Sequence, residues 1–336
     1  MGFNPQNILV IDFGQLGDAV LSLPALRLIR DRFPKALITV GAGQPAAQVI
    51  RLSGYADATI AVDRFALRDG PKLRSLQQIV RLVTDVRRRK FDFVIDLHSL
   101  YETNLLGFLS GAPIRLFGPR ARRSLDFLSN FDPAPPREDT SKHVVDRYLD
   151  VLAPLGVNGA SRIPALRTSC EDDRAAEQML EDFGASGGAP LVGLFPGAGH
   201  PGRRWPLSSF VALGEELSRK DRARIIVFVG PEESSFTQEI HASFSRSAII
   251  FDQADISRLS SVLARLDVFI SSSTGPMHLA AAVGTPLVVL FSRLTPDSFT
   301  PVGGQHRIIF SSSVSDIRMD DVYKATTEAL ENGRQA

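Results

Sequence analysis

The sequence has one cysteine, Cys170, in 336 residues. That excludes a disulfide framework and a cysteine-rich zinc site, and it fits a reducing compartment. The six histidines are scattered, and no HExxH or comparable metal-ligand spacing occurs. Formal net charge is +1, so nothing global attracts nucleic acid or a strongly acidic partner. No run approaches the roughly 20 apolar residues that a spanning helix needs. The opening "MGFNPQNILVIDFGQLGD" has no basic stretch followed by a long apolar one. The sequence therefore predicts no signal peptide and a cytoplasmic location.

What is present is a soluble globular composition, 44% apolar and 22% charged, in a chain long enough for two domains. Short β-branched runs alternate with amphipathic stretches. Strands are expected at Ile8–Ile11, Leu37–Val40, Thr59–Val62, Phe93–Asp96 and Ile114–Phe117. Each is nearly continuously apolar, as a strand buried on both faces should be. Between them lie helical patterns. "PALRLIRDRF" places Leu26, Ile29 and Phe33 on one face, and "LRSLQQIVRLVTDVRRR" does the same for Leu76, Ile79, Leu82, Val83 and Val86.

The second half repeats the theme. Strands are expected at Leu191–Phe195, Ile225–Val229, Ala248–Phe251, Val268–Ser271, Leu287–Leu290 and Arg307–Phe310. Helices are expected at Val144–Leu155, Ser208–Ser218, Ile256–Leu266 and Asp320–Glu331. Strand and helix in alternation imply parallel βαβ units. The expected class is α/β, with two doubly wound, Rossmann-like domains, residues 1–165 and 166–336, hinged near Arg162–Ser169.

Open α/β sheets bind ligands beyond the carboxyl ends of their strands. The first such loop, in "VIDFGQLGDAVLSLPAL", carries a turn of Gly14, Gln15, Leu16 and Gly17, after which Asp18 opens a helix. The glycines let backbone N–H groups approach a ligand. Asp18 is either a structural N-cap or a carboxylate poised as a general base. No GK[ST] follows, so this is not a Walker A loop.

The second loop, in "VGLFPGAGHPGRRWPLSSF", matches GxGxxG literally. A dinucleotide fingerprint should open a helix directly, whereas here "RRWP" intervenes and the helix starts near Leu207 or Ser208. Arg203 and Arg204, in a loop flanked by Gly197, instead suit a diphosphate. Trp205 fixes the loop. A third loop brings Glu232 and Glu233 after a strand, either as helix-start charges or as acceptors for a ribose or base. The fourth, "SSSTGPMHLAAAVGTP", ends a strand in Ser271, Ser272, Ser273 and Thr274. Gly275 and Pro276 then start a small-residue helix whose free N–H groups are a seat for phosphate oxygens. His278 lies one turn in.

With these motifs in their order and spacing, the chain resembles the heptosyltransferase family, glycosyltransferase family nine, over nearly its whole length. "ILVIDFGQLGDAVLSLPALRLIRDRFP", "VGLFPGAGHPGRRWPLSSFVAL" and "SSSTGPMHLAAAVGTPLVVLF" carry the resemblance. "FDFVIDLHSLYETNLLGFLSGAPIRLFG" looks like the family's acceptor-side region. The resemblance implies a GT-B fold, two Rossmann-like domains facing across a cleft. It implies an N-terminal acceptor-side domain, a C-terminal nucleotide-sugar domain, and a last helix able to pack back on the first. Asp18 matches the family's proposed catalytic base. Arg203 matches a basic residue that contacts the donor diphosphate, and Glu232 an acid near the nucleotide. Thr274, Gly275 and His278 match donor-binding positions. Two positions depart from the pattern: Ser273 stands where the family usually has aspartate, and Asp12 where it often has Arg or Lys.

The resemblance further implies an inverting transfer without a metal or other cofactor. An acceptor hydroxyl attacks the anomeric carbon while Asp18 takes its proton. Arg203, Arg204 and the helix start at Thr274–Pro276 stabilise the leaving diphosphate. ADP-heptose is the first expectation for the donor, and a lipopolysaccharide-core or related glycan for the acceptor. Basic patches at "VRRRK" and "RLFGPRARRS" are either solvated surface or contacts to an anionic glycolipid at the cytoplasmic face of the inner membrane. Two other readings stand beside this one. The first is a family member that binds nucleotide or glycan without transfer, which Ser273 and Asp12 favour. The second is a nicotinamide-dependent oxidoreductase, resting only on "GAGHPG".

Overall fold

A computed structural model describes the chain except for residues 1–2, 157–158, 160, 186–187, 231–235, 245–247, 253–254, 305 and 334–336. The chain divides into two compact units, Met1–Pro164 and Ala165–Ala336.

The first unit runs β1 (Asn7–Asp12), α1 (Leu16–Arg32), β2 (Leu37–Gly43), α2 (Gln44–Ser53), β3 (Ala58–Val62), α3 (Arg64–Asp69), α4 (Lys72–Arg88), β4 (Phe93–Asp96), α5 (Tyr101–Leu109), β5 (Ile114–Phe117) and α6 (Val144–Leu152). Its five strands are parallel, in the order β3-β2-β1-β4-β5. Central β1 and β4 are apolar and buried on both faces. The edge strands β3 and β5 are partly exposed, because only one neighbour covers each edge.

Helix α1 starts at Leu16, two residues before the expected opening at Asp18, and runs on through "PALRLIRDR". Pro24 sits inside it, where proline removes a backbone hydrogen bond. Burial of Ala19, Val20, Leu21, Leu23, Ala25, Leu26 and Ile29 outweighs that loss. Helix α4 also departs from expectation. Only Val86 of its predicted apolar face is buried, while Leu82 and Val83 are half-buried. Leu76 and Ile79 are exposed, with Leu73 and Val80 beside them.

The second unit runs α7 (Cys170–Asp182), β6 (Leu191–Phe195), α8 (Leu207–Lys220), β7 (Arg224–Val229), α9 (Thr237–Phe244), β8 (Ile249–Asp252), α10 (Ile256–Leu263), β9 (Val268–Ser272), α11 (Gly275–Ala282), β10 (Leu287–Ser292), β11 (Arg307–Ser311) and α12 (Met319–Gly333). Its six strands are parallel, in the order β11-β10-β9-β6-β7-β8. Val192, Leu194, Ile225, Val227, Val268, Ile270, Val288 and Leu290 form the sheet side of its core, with Phe210, Leu213 and Leu217 of α8 packed on them. Helix α12 packs on α8 and on β9, β10 and β11 of its own unit.

Both sheets change direction once. In the first, successive strands run from β1 through β2 to β3, and β4 then starts on the other side of β1. In the second, they run from β6 through β7 to β8, and β9 starts on the other side of β6. Beyond the carboxyl ends of the two strands at such a switch, the connecting loops part and leave a ligand crevice. The crevices therefore lie after β1 and β4, and after β6 and β9.

Candidate active site

At the first crevice, β1 ends at buried Asp12, buried Phe13 follows, and α1 opens on Leu16 with Gln15 as its N-cap. Gly17 and Asp18 thus lie inside the first helical turn, with Asp18 at its third position, rather than in the loop and at the helix opening as expected. The physical reason is a local bond. The Gln15 N–H donates to Asp18 Oδ2 at 2.8 Å, closing the turn two residues early. Gly14 makes room for that carboxylate, because a Cβ added there would overlap Asp18 Cβ and lie 3.0 Å from Asp18 Cγ.

Asp18 is half-buried. Burial raises the proton affinity of its carboxyl, and the neighbouring charge of Asp12 raises it further. The Gln15 amide, His98 and Arg64 oppose this without reversing it. Arg64, at the start of α3, donates from Nη1 to the Phe13 carbonyl, so its guanidinium reaches the same loop.

From the other side of the crevice, Leu97 and His98 donate their N–H groups to the Ile11 carbonyl at 3.0 and 3.2 Å. This fixes the chain leaving β4 against the end of β1. His98 Nδ1 lies 3.6 Å from Asp12 Oδ1. Burial opposes ionisation of Asp12, but His98 and a 3.1 Å bond from the Gly14 N–H hold its carboxyl below the usual range. Asp96 behind them is fully buried. It accepts from the Ser99 N–H and from Asn104 Nδ2, each at 2.7 Å. His98 and Arg64 were not singled out by sequence reasoning. His98 sits within the quoted acceptor-side stretch, but its pairing with a residue 86 positions earlier follows only from the β1–β4 register.

At the second crevice, β6 ends at Phe195, and Pro196, Gly197 and Ala198 follow as buried backbone. The glycine pattern leads into a 3-10 turn at Pro201–Arg203, and α8 begins only at Leu207. Direct strand-to-helix entry, which a dinucleotide fingerprint requires, is absent here. Trp205 anchors the loop from beneath. Its Nε1–H donates to the Ile317 carbonyl at 2.9 Å, and its ring meets Phe210 edge-on at 4.9 Å. The two arginines differ. Arg204 donates from Nε to the Ala198 carbonyl at 3.3 Å and lies 4.7 Å from the centre of the Phe236 ring. Arg203 Nε is buried with no partner among the described residues.

Across the switch point, Ser271 pairs in register with Phe195, which sets the end of β9 beside the arginine loop. Ser272 closes β9 and is buried, while Ser273 is half-buried. Thr274 is the N-cap of α11, yet its hydroxyl makes no capping bond. Thr274 Oγ1 is instead buried and unpartnered among the described residues. Gly275 and Pro276 form the first turn, and His278 is buried within the helix. Glu232 and Glu233 lie outside the described residues. Among the described residues, no group of three His, Cys, Asp or Glu side chains is placed to hold a metal ion.

The first unit thus gathers Gly14, Gln15, Gly17 and Asp18, with Asp12 and His98 beside them. The second gathers Gly197, Arg203 and Arg204 with Ser272, Ser273, Thr274, Gly275 and His278. Residues 79–325 match Glycosyltransferase family 9 (heptosyltransferase), which is most of the chain. The chain belongs to glycosyltransferase family 9. It is accordingly a transferase. It is 25% identical over 315 residues to Lipopolysaccharide heptosyltransferase 2 of Salmonella typhimurium, covering 90% of this chain and 87% of that one. A family 9 glycosyl transferase from Veillonella parvula superposes with a TM-score of 0.85 at 22% identity, covering 99% of each chain. The E. coli heptosyltransferase WaaC with ADP-2-deoxy-2-fluoro heptose superposes at 0.74 and 18% identity, covering 96% of this chain and 99% of that one. The fold of this family 9 member is the GT-B fold of those heptosyltransferases.

Proposed function

We propose that this glycosyltransferase moves a heptose from an ADP-linked donor to the core of a lipopolysaccharide acceptor, with inversion and without a metal. The relatives' names supply the donor and acceptor classes. The observation that carries the chemical reading is Asp18, a half-buried carboxylate of raised proton affinity at the carboxyl end of β1. A carboxylate that binds protons more tightly is a better general base, provided it remains ionised at working pH.

In this reading an acceptor hydroxyl attacks the anomeric carbon opposite the diphosphate. The hydroxyl proton passes to Asp18, the bond to the diphosphate breaks, and ADP leaves with the electron pair. Arg203 and Thr274 offer buried polar atoms to the diphosphate, alongside the N–H groups that open α11. Arg204 holds the loop through Ala198 and Phe236. Gly197, Ser272, Ser273, Gly275 and His278 complete the donor site, and Glu232 is assigned to the nucleotide. The acceptor is a glycolipid, so this reading includes peripheral membrane contact. It is supported by exposed Leu73, Leu76 and Val80 on α4, near Lys72, Arg74 and Arg81. No helix among the described residues is long and apolar enough to cross a membrane.

The test is product formation from heptose-deficient core lipopolysaccharide with ADP-heptose, against ADP-, GDP-, UDP- and dTDP-linked hexoses. Transfer from ADP-heptose alone supports the reading. Preference for another donor would attach specificity to Ser273, and no transfer from any donor would overturn it.

A further inference from the structure

Asp12 is 1% exposed, at the end of β1, and the transfer described above leaves it without a task. A buried carboxylate is costly unless it is paired. Its Oδ1 receives the Gly14 N–H at 3.1 Å and faces His98 Nδ1 at 3.6 Å. Its Oδ2 and the far nitrogen of His98, Nε2, are both buried without a partner among the described residues. The very next amide, that of Gln15, donates to Asp18 Oδ2 at 2.8 Å. Consecutive peptide N–H groups thus hold one carboxylate each, which sets two like charges on the same short loop.

Other charged or titratable groups face this place. Arg64 reaches the loop from α3. Tyr148 of α6 is buried against it, and its hydroxyl is pushed well above the usual phenol range by burial, with Asp12 and Asp18 adding to the effect. Arg120 donates from Nη2 to the Leu97 carbonyl at 3.5 Å, beside His98, and both it and Arg147 lie 3.7 Å from Glu138. Asp96, two residues before His98, is buried and interacts electrostatically with it. Among the described residues, His98 is the basic side chain within ion-pair reach of Asp12.

We propose that Asp12 and His98 form a buried carboxylate–imidazole pair that acts on Asp18 through space. The Asp12 charge makes Asp18 the stronger proton acceptor, and a proton on His98 weakens that effect. Both are positioning residues. Each acts on the reacting atoms only through Asp18. The catalytic consequence rests on Asp18 being the base, whereas the electrostatic coupling does not.

The experiment is a carboxyl-carbon NMR titration of Asp18 in the full ligand-free chain, for the wild type, Asp12→Asn and His98→Gln. Both substitutions are near-isosteric, and either alone tests the coupling if the other fails to fold. Asp12→Asn should lower the Asp18 midpoint by roughly one pH unit, the size of effect a single close charge produces. His98→Gln should raise it. An Asp18 midpoint that stays put in the folded variants would overturn the proposal, as would shifts in the same direction. The acid limb of kcat/KM should move with the midpoint in each variant. A midpoint that moves while the kinetic limb stays fixed would uphold the pair and remove Asp18 as the base.

Discussion

Gly14 and Asp18 occupy one space: a methyl group on Gly14 would overlap Asp18 Cβ and stand 3.0 Å from its Oδ2. The glycine is therefore needed less for phosphate approach than to let the carboxylate fold back under the Gln15 amide. Gly14→Ala should push Asp18 out of that position. A misplacement of about 1 Å typically costs on the order of 100-fold in rate, and forced overpacking costs roughly 1–3 kcal/mol of stability. Steady-state kinetics and thermal melts check both. Wild-type kcat/KM in Gly14→Ala would show that the carboxylate's position is unimportant.

Arg203 and Arg204 are neighbours with different work. Arg203→Ala should weaken ADP binding by about 10- to 100-fold, the loss of a charge-assisted bond of roughly 1.5–3 kcal/mol. Arg204→Ala should mainly lower the melting temperature, because its bond to Ala198 and its contact with Phe236 hold the loop. Calorimetric titration with ADP and a thermal melt separate the two. Equal loss of affinity in both variants would contradict the division.

Asp96 gives the first unit a pH signature. Burial pushes its pKa up to about 6, against the bonds from Ser99, Thr103 and Asn104. In the unfolded chain an aspartate titrates near 4. Below about pH 4 both states hold the proton and the contribution is fully present. Between there and about 6 the unfolded chain has released its proton while the native state still holds it. Unfolding free energy therefore falls as pH rises through this window, by about 3 kcal/mol in all. Asp96→Asn should remove most of that slope, measured by urea unfolding at several pH values. An unchanged slope in the variant would place the effect elsewhere.

The sequence made some of these features visible and hid others. The central strands were legible because continuous apolar runs bounded by turn residues have few alternatives. The loops after β1, β6 and β9 were legible because the carboxyl edge of a parallel sheet is where glycine, hydroxyl and charged residues collect. Periodicity misplaced Leu76 and Ile79, since a core stripe and an exposed stripe on α4 have the same spacing. It also missed α5, where buried Thr103 and Asn104 interrupt the apolar pattern and Gly107 is small because the Phe117 ring lies against it. Asp12 read only as a departure from a position that is often basic. Its partner, His98, comes from another strand, and local sequence does not encode which strands adjoin.

In the proposed transfer Asp18 takes the acceptor proton. The most direct measurement is single-turnover sugar transfer by Asp18→Asn, with ADP affinity measured on the same preparation. Loss of a general base typically costs about 10²–10⁴-fold. A fall of that size is expected in the chemical step, with ADP binding unchanged. Transfer at the wild-type rate in a folded Asp18→Asn protein would contradict it.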